Sequence, residues 1–362
     1  MESMLNFRLF HPSPHTQPNT KIKRNSSIEL LRVLAILMII SMHLMGKWWT
    51  TSSVVNREII IFFNSFFNTG NSLFILISGY YRVNFKLEKM VHLWFQTLTY
   101  TIPLFFLSWL FLESPVDGKF VLHSFFPILT NYKWFITSYL ILYTLSPFLN
   151  RFLEQLSKEQ MLRLILLGCF FFIFSPTVLL ISIQNDAGKG IVNMVLVYII
   201  GRYIRLFGVP YFIIANKKHI AYLCVLLAFI GNSVLSFMKG QISGYYAYDC
   251  SLFMLCLSIV IFTIFKELKF DSSLINSLEK YCFPIYLFSD IVWLLLNNYI
   301  ISIKDSLYCW FMMPLLLLAA ILISIIYEML RKLLFSRLEE KAYYVVEQCV
   351  NNILRKYNGK LN

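Results

Sequence analysis

Long apolar runs constrain this chain more than any other feature. They fall near residues 30–49, 59–80, 91–112, 134–150, 161–183, 191–207, 219–238, 247–265, 282–303 and 308–330. Most reach the roughly 20 residues that carry a helix across hydrocarbon, and the fourth and sixth are short. A barrel strand would need only about 9–11 residues and would alternate apolar with polar, which these runs do not. A soluble fold of this length needs a polar surface. Only 14% of the residues are charged and 58% are hydrophobic, against roughly 25% charged in an ordinary soluble domain. The expected fold class is therefore an all-α polytopic membrane protein with about ten transmembrane helices.

Lys and Arg set the orientation, because cytoplasmic loops carry the excess. With the N-terminus inside, the inner connections hold thirteen basic residues, Arg82, Lys86 and Lys89 among them; the outer ones hold seven, including Lys133 and Lys189. Both termini are then expected in the cytoplasm. The net charge of +13 is read as topology and anionic headgroups, not as a nucleic-acid surface. Three parts follow: a cytoplasmic tail over 1–27 bearing Lys21, Lys23 and Arg24, a transmembrane domain over 28–330, and an amphipathic segment over 331–362 on the inner membrane surface. The first run has no small-residue cleavage site after it and reads as a retained helix. The seven cysteines include no CxxC and no Cys/His cluster at zinc spacing, so neither a disulfide framework nor a metal site is expected.

Polar residues inside such runs cost several kcal/mol each and belong in the bundle interior or a wet cavity. The first run holds Glu29, Arg32 and His43. Arg32 and His43 are eleven residues apart, close to three whole turns, so they share a face about 16 Å apart along the axis. Glu29 joins that stripe one turn earlier. On residue types alone, Glu29–Arg32 is equally well an interfacial ion pair and His43 a packed, hydrogen-bonded histidine. On the second run, Asn64, Asn68 and Asn71 follow at i, i+4 and i+7. They form one face level with His43, either as interhelical glue or as the wall of a polar pocket. Asp290 sits within the ninth run, a functional candidate without a partner in the sequence. Trp134, Tyr139 and Tyr143 on the fourth run read first as interfacial anchors.

The stretch from Arg24 through Glu29, Leu31-Arg32 and Ala35 to His43 resembles the opening signature of the membrane acyltransferase-3 family: a basic residue, an acidic residue, Leu-Arg, then His eleven positions on. Gly70-Asn71-Ser72-Leu73-Phe74, ending in Ser78-Gly79-Tyr80, resembles its second motif. Trp134–Tyr139 and Leu145-Ser146-Pro147-Phe148-Leu149 resemble a block of cell-surface polysaccharide acetyltransferases, and Ile285-Tyr286-Leu287 a late one. The sequence departs from the family where Lys86 and Lys89 stand in place of an Arg-rich pair, and where Phe288-Ser289 follow the late block without a second histidine.

The resemblance implies a multi-pass enzyme of the cell membrane that moves an acyl group, usually acetyl, to a hydroxyl of a cell-surface or lipid-linked glycan. It implies acetyl-CoA as co-substrate, no bound cofactor, and membrane lipids as surroundings. It maps the essential His onto His43, the signature Arg onto Arg32 and the acid onto Glu29. Arg24, Arg32, Arg82, Lys86 and Lys89 become candidates for the donor's phosphates. Asn64, Asn68 and Asn71 become candidates for the acceptor or a thioester oxyanion. His43 would act as general base or carry the acyl group itself. A polysaccharide exporter or a glycan polymerase would share the helices and the intramembrane polar groups. The first is disfavoured because no paired broken helices or repeat symmetry are visible, the second because the outer loops are short.

Overall fold

The computed structural model describes residues 25–111 and 117–358; Arg24 and the expected tail before it lie outside them. No strand occurs among the described residues. The helices are α1 (Ser26–Gly46), α2 (Val54–Phe67), α3 (Thr69–Tyr81), α4 (Leu87–Phe111), α5 (Gly118–Phe125), α6 (Trp134–Glu154) and α7 (Lys158–Cys169), which runs on as a π-helix over Phe170–Leu179. They continue as α8 (Ile191–Phe207), α9 (Tyr211–Lys239), α10 (Leu252–Glu267), α11 (Ser273–Leu278), α12 (Cys282–Leu295), α13 (Asn297–Ser302) and α14 (Tyr308–Asn358).

Local chemistry fixes several starts. Asn25 caps α1 by accepting the Ser27 N–H at 3.2 Å, Ser53 caps α2 through the Asn56 N–H, and Ser157 with Gln160 forms a reciprocal capping box on α7. The Asn run expected as one helix is divided at a single residue, Asn68, which ends α2 and begins α3 with helical dihedrals, so the two form one 28-residue stretch.

Seven helical stretches among the described residues are long and apolar enough to cross a membrane: α1, α2 with α3, α4, α7 with its π-helical extension, α9, the stretch ending in α10, and α14. The other three apolar runs form α6, α8 and α12. The last two are shorter, and α6 carries Ser138, Tyr139, Tyr143, Ser146 and Asn150 among its apolar residues. Helices of this kind suit an interior position, where protein rather than lipid surrounds the polar groups. The outer helices behave oppositely: Leu166 and Leu167 of α7, Leu226 of α9, and Phe311 and Leu315 of α14 point away from the protein. So much exposed apolar surface is stable only against hydrocarbon.

The centre is built by backbone approach. A Cβ on Gly70 of α3 would lie 2.8 Å from the Ala35 carbonyl oxygen of α1. One on Gly79 would lie 2.3 Å from the Tyr198 carbonyl oxygen of α8, and one on Gly201 of α8 would lie 2.4 Å from that of Leu76. Only glycine admits these contacts. The two glycines of the second motif thus dock α3 onto both neighbours.

The C-terminal stretch continues α14 without a break at residue 330. At 1.5 Å per residue α14 is about 76 Å long, well beyond a hydrocarbon core of about 30 Å. Past the membrane-length portion, Arg331 pairs with Glu328 at 2.7 Å and Glu339 at 3.2 Å. His92 of α4 meets Glu339 at 2.8 Å, and the Tyr100 hydroxyl donates to Glu328 at 2.8 Å. No Gly or Pro interrupts residues 315–358, so nothing local separates the segment from the last helix.

The two ends of the bundle differ. The end bearing the start of α1 is rich in ion pairs: Glu29–Arg32, Arg32–Glu279, Arg82–Glu154 and Lys217–Glu267. At the opposite end the α1–α2 turn is tied to the α13–α14 turn. The Trp48 indole donates to the Ile300 carbonyl at 2.9 Å, and the Asp305 carboxylate accepts the Ser52 N–H at 2.6 Å.

Candidate active site

His43 lies in the last turn of α1, at the second of these ends. Its Nδ1 is enclosed and stands 3.5 Å from Oδ1 of Asp290 on α12. The other carboxylate oxygen of Asp290 is in contact with the Lys133 ammonium, which sits just before α6 and is itself buried. The Tyr286 ring, one turn before Asp290, lies 6.1 Å from the imidazole. Three segments that are distant in sequence therefore meet here: α12 touches the imidazole of α1, and Lys133 is tied to it through Asp290. At that distance the two make a charge contact, and Nδ1 has no hydrogen-bond partner among the described residues. A carboxylate beside one ring nitrogen favours the tautomer with the proton there and Nε2 as the basic nitrogen.

That free edge borders a cavity of about 380 Å³. Its lining also includes Asn64, Asn68 and Asn71 of the α2–α3 stretch. Asn68 donates to the Ala247 carbonyl, and the Asn71 amide reaches both oxygens of Asp249 at 3.3 Å. Asp249 is buried, and its backbone carbonyl accepts from Asn193 of α8 at 3.2 Å. Two of the three amides are thus committed to holding the 244–249 turn. The Asn64 side chain, buried at the cavity wall, has no such commitment among the described residues. Trp134 and Lys189 complete the rim, the ammonium 5.6 Å from the indole.

The remaining sequence candidates lie elsewhere. Arg32 bonds Glu29 at 2.7 Å and Glu279 at 3.3 Å, and by helix rise it is about 16 Å from His43. Glu29 does not reach the imidazole: fourteen residues earlier, it stands roughly 20 Å away and its carboxylate is spent on Arg32. The acidic partner of His43 is Asp290 instead. Arg82 pairs with Glu154 at 3.1 Å, and Lys86 and Lys89 are exposed nearby. Arg24 lies outside the described residues. Arg202 and Arg205 of α8 join the Arg82 group: Arg202 is buried 3.9 Å from Glu154, and Arg205 donates to the Tyr80 hydroxyl at 3.3 Å.

An aromatic ladder links the two regions. Tyr286 contacts Phe135 at 6.0 Å, Phe135 stacks on Tyr139 at 6.2 Å, and Tyr139 on Tyr143 at 6.4 Å. The last three stand at i, i+4 and i+8 on one face of α6. The Tyr143 hydroxyl in turn accepts the Lys86 N–H at 2.8 Å. Tyr139 is half-buried and Tyr143 buried, with the Tyr143 hydroxyl on the α3–α4 connection at the end of the bundle.

Lys133, Asp249 and Tyr286 were not singled out by sequence reasoning as site residues. Lys133 counted as an outer-loop charge and Tyr286 as part of a motif. A signal existed for one of them: a carboxylate inside an apolar run requires a cation, and Lys133 heads the run whose end faces the same side as Asp290.

The described residues thus form a helical bundle with membrane-length helices and a His–carboxylate pair at a polar cavity. The acyltransferase-3 family model, described as an acyltransferase domain, matches residues 25–329, and the chain belongs to that family. It is a membrane acyltransferase; the exporter and polymerase readings draw no support from this membership. No curated protein and no solved structure matches the chain significantly.

Proposed function

We propose that the protein transfers an acetyl or related acyl group from cytoplasmic acyl-CoA to a hydroxyl of a cell-surface or lipid-linked glycan, with His43 as general base. The observation that carries this reading is the His43–Asp290 pair at 3.5 Å with its free edge on the cavity. In the reaction, Nε2 takes the proton of the acceptor hydroxyl while its oxygen attacks the thioester carbonyl. The new C–O bond forms, the C–S bond breaks, and the proton passes to the departing coenzyme A sulfur. Asp290 stabilises the imidazolium between these steps. Asn64, the amide not committed elsewhere, serves the transient oxyanion.

The donor's phosphates are best served by Arg82, Arg202 and Arg205 at the other end, with Lys86 and Lys89 on the approach. The pantetheine arm then follows the Tyr143–Tyr139–Phe135 face toward His43. Nε2 is equally the nitrogen that an acyl-His relay would use, and direct transfer is the reading that needs no covalent intermediate. The test is acyl-ester formation on extracted glycans by purified protein in proteoliposomes with labelled acetyl-CoA. His43→Ala should reduce ester formation to background while inserting and eluting like wild type. Ester formation by that variant at more than about one-tenth of the wild-type rate would contradict the role, since a general base contributes about 10²–10⁴-fold.

A further inference from the structure

A second cavity, of about 270 Å³, opens beside the first. The two share Ala187 and Tyr248 in their walls, so they lie side by side as a two-part trough divided at those residues. Their chemistry differs. The His43 cavity presents Lys189, Lys239 and Asp249. The second is lined by three tyrosines, Tyr245, Tyr246 and Tyr248, with short neutral groups such as Asn185 and Ser182, and by no charged side chain.

The trough is built rather than incidental. The Tyr245 hydroxyl donates to the Pro176 carbonyl at 2.7 Å and thereby fixes its ring across the cavity floor. The Tyr246 N–H donates to the Asn232 side chain at 2.9 Å. Thr177 Oγ1 accepts the Leu252 N–H at 2.9 Å, which holds the π-helical end against α10. The Tyr245 and Tyr248 rings are 5.4 Å apart and tilted by 54°, two faces of a cleft rather than a stack. At the threshold between the cavities, Ala187 adopts φ +56°, a left-handed conformation that a residue with a Cβ rarely takes. Gly188 beside it packs where a Cβ would lie 2.3 Å from the Cys250 nitrogen. A backbone of this kind persists only where its surroundings hold it in place. An interfacial aromatic belt would turn its rings toward lipid headgroups; these rings line a concavity that adjoins the His43 cavity.

Aromatic faces bordered by amide and hydroxyl groups, without charge, suit neutral sugars: the C–H face of a pyranose lies on a ring while its hydroxyls reach the neutral polar groups. Resting on the glycan reading above, we infer that the acceptor is an oligomeric glycan. Its reacting sugar occupies the His43 cavity, and the next sugars of the chain cross Tyr248 into the Tyr245–Tyr246 cleft. Lipid-linked glycans and finished polymers both present such a chain, and the test separates them.

The glycans of the producing cell are extracted as a lipid-linked and a water-soluble fraction. Each is cut by mild hydrolysis into monosaccharides and longer fragments, and each pool is offered with labelled acetyl-CoA to the full-length protein in proteoliposomes. Wild type should prefer longer fragments by about tenfold in kcat/KM, the value of one or two ring contacts. The source with the higher kcat/KM identifies the acceptor. Tyr248→Ala should collapse the length preference toward one, and Tyr248→Phe, which keeps the ring, should retain it. Equal use of monosaccharides and longer fragments by wild type would overturn the inference, as would a preference unchanged in Tyr248→Ala. Either result leaves the glycan reading standing. Transfer to no pool at all, with the donor bound, would overturn the glycan reading and this inference with it.

Discussion

Removing the Asp290 carboxylate should slow chemistry without altering donor affinity. Two unit charges at about 4 Å attract by about 4 kcal/mol at an effective dielectric near 20. His43 and Asp290 lie 3.5 Å apart, but each side chain is about one-third open to solvent. Screening, and the competing hold of Lys133 on the same carboxylate, reduce the useful part to about 1–3 kcal/mol. At 1.4 kcal/mol per tenfold, Asp290→Asn should lower kcat about ten- to hundredfold and leave the acetyl-CoA KM near wild type. One complication is physical: the substitution strands a buried Lys133, and breaking a buried pair from one side costs about 3–5 kcal/mol of stability. The double variant Asp290→Asn/Lys133→Met removes both charges. It should recover thermal stability and yield while kcat stays low. The assay is initial-rate ester formation on purified, monodisperse protein. A kcat within about twofold of wild type in the stable double variant would refute the argument that Asp290 supports the imidazolium.

Other expectations follow from the packing and the ion pairs. Gly79→Ala pushes a Cβ to 2.3 Å from a carbonyl oxygen that cannot step aside, and should cost about 1–3 kcal/mol; Gly46→Ala, with nothing within 4 Å, is the neutral control in the same thermal melt. Arg32→Ala leaves Glu29 and Glu279 facing each other without their cation, and should lower the melting temperature while raising the donor KM more than the acceptor KM. A change in the acceptor KM alone would place Arg32 in the wrong half of the site.

What could be read in the sequence was what lies within one helix. The Glu29–Arg32 contact is an i, i+3 pair on α1, and the rise per residue sets the separation of Arg32 from His43. The Asn64–Asn71 face was legible as a polar stripe because both flanking segments are helical. What the stripe did not show is that the Asn68 carboxamide bonds the Ala247 carbonyl, 179 residues away. The partner of His43 was hidden for the same reason. Asp290 stood out as a carboxylate among apolar residues, but its distance to His43 and to Lys133 is set by how α12 packs beside α1 and α6. Glu279, the second partner of Arg32, comes from a segment 247 residues away and gave no sign of it. Gly70 and Gly79 illustrate the converse: they stand out in the sequence as motif residues, and in the fold they set how closely α3 approaches α1 and α8.

The central claim is that an acyl group enters at the Arg32 end of the bundle and leaves at the His43 end. Proteoliposomes with the protein in one known orientation test it most directly. Labelled acetyl-CoA is sealed on the face bearing the start of α1, and the glycan acceptor is supplied only on the face bearing Gly46. Labelled ester should appear on the acceptor with that arrangement and fall to background with the two reversed. Equal labelling in both arrangements, or labelling only when donor and acceptor share one face, would contradict transfer through the bundle.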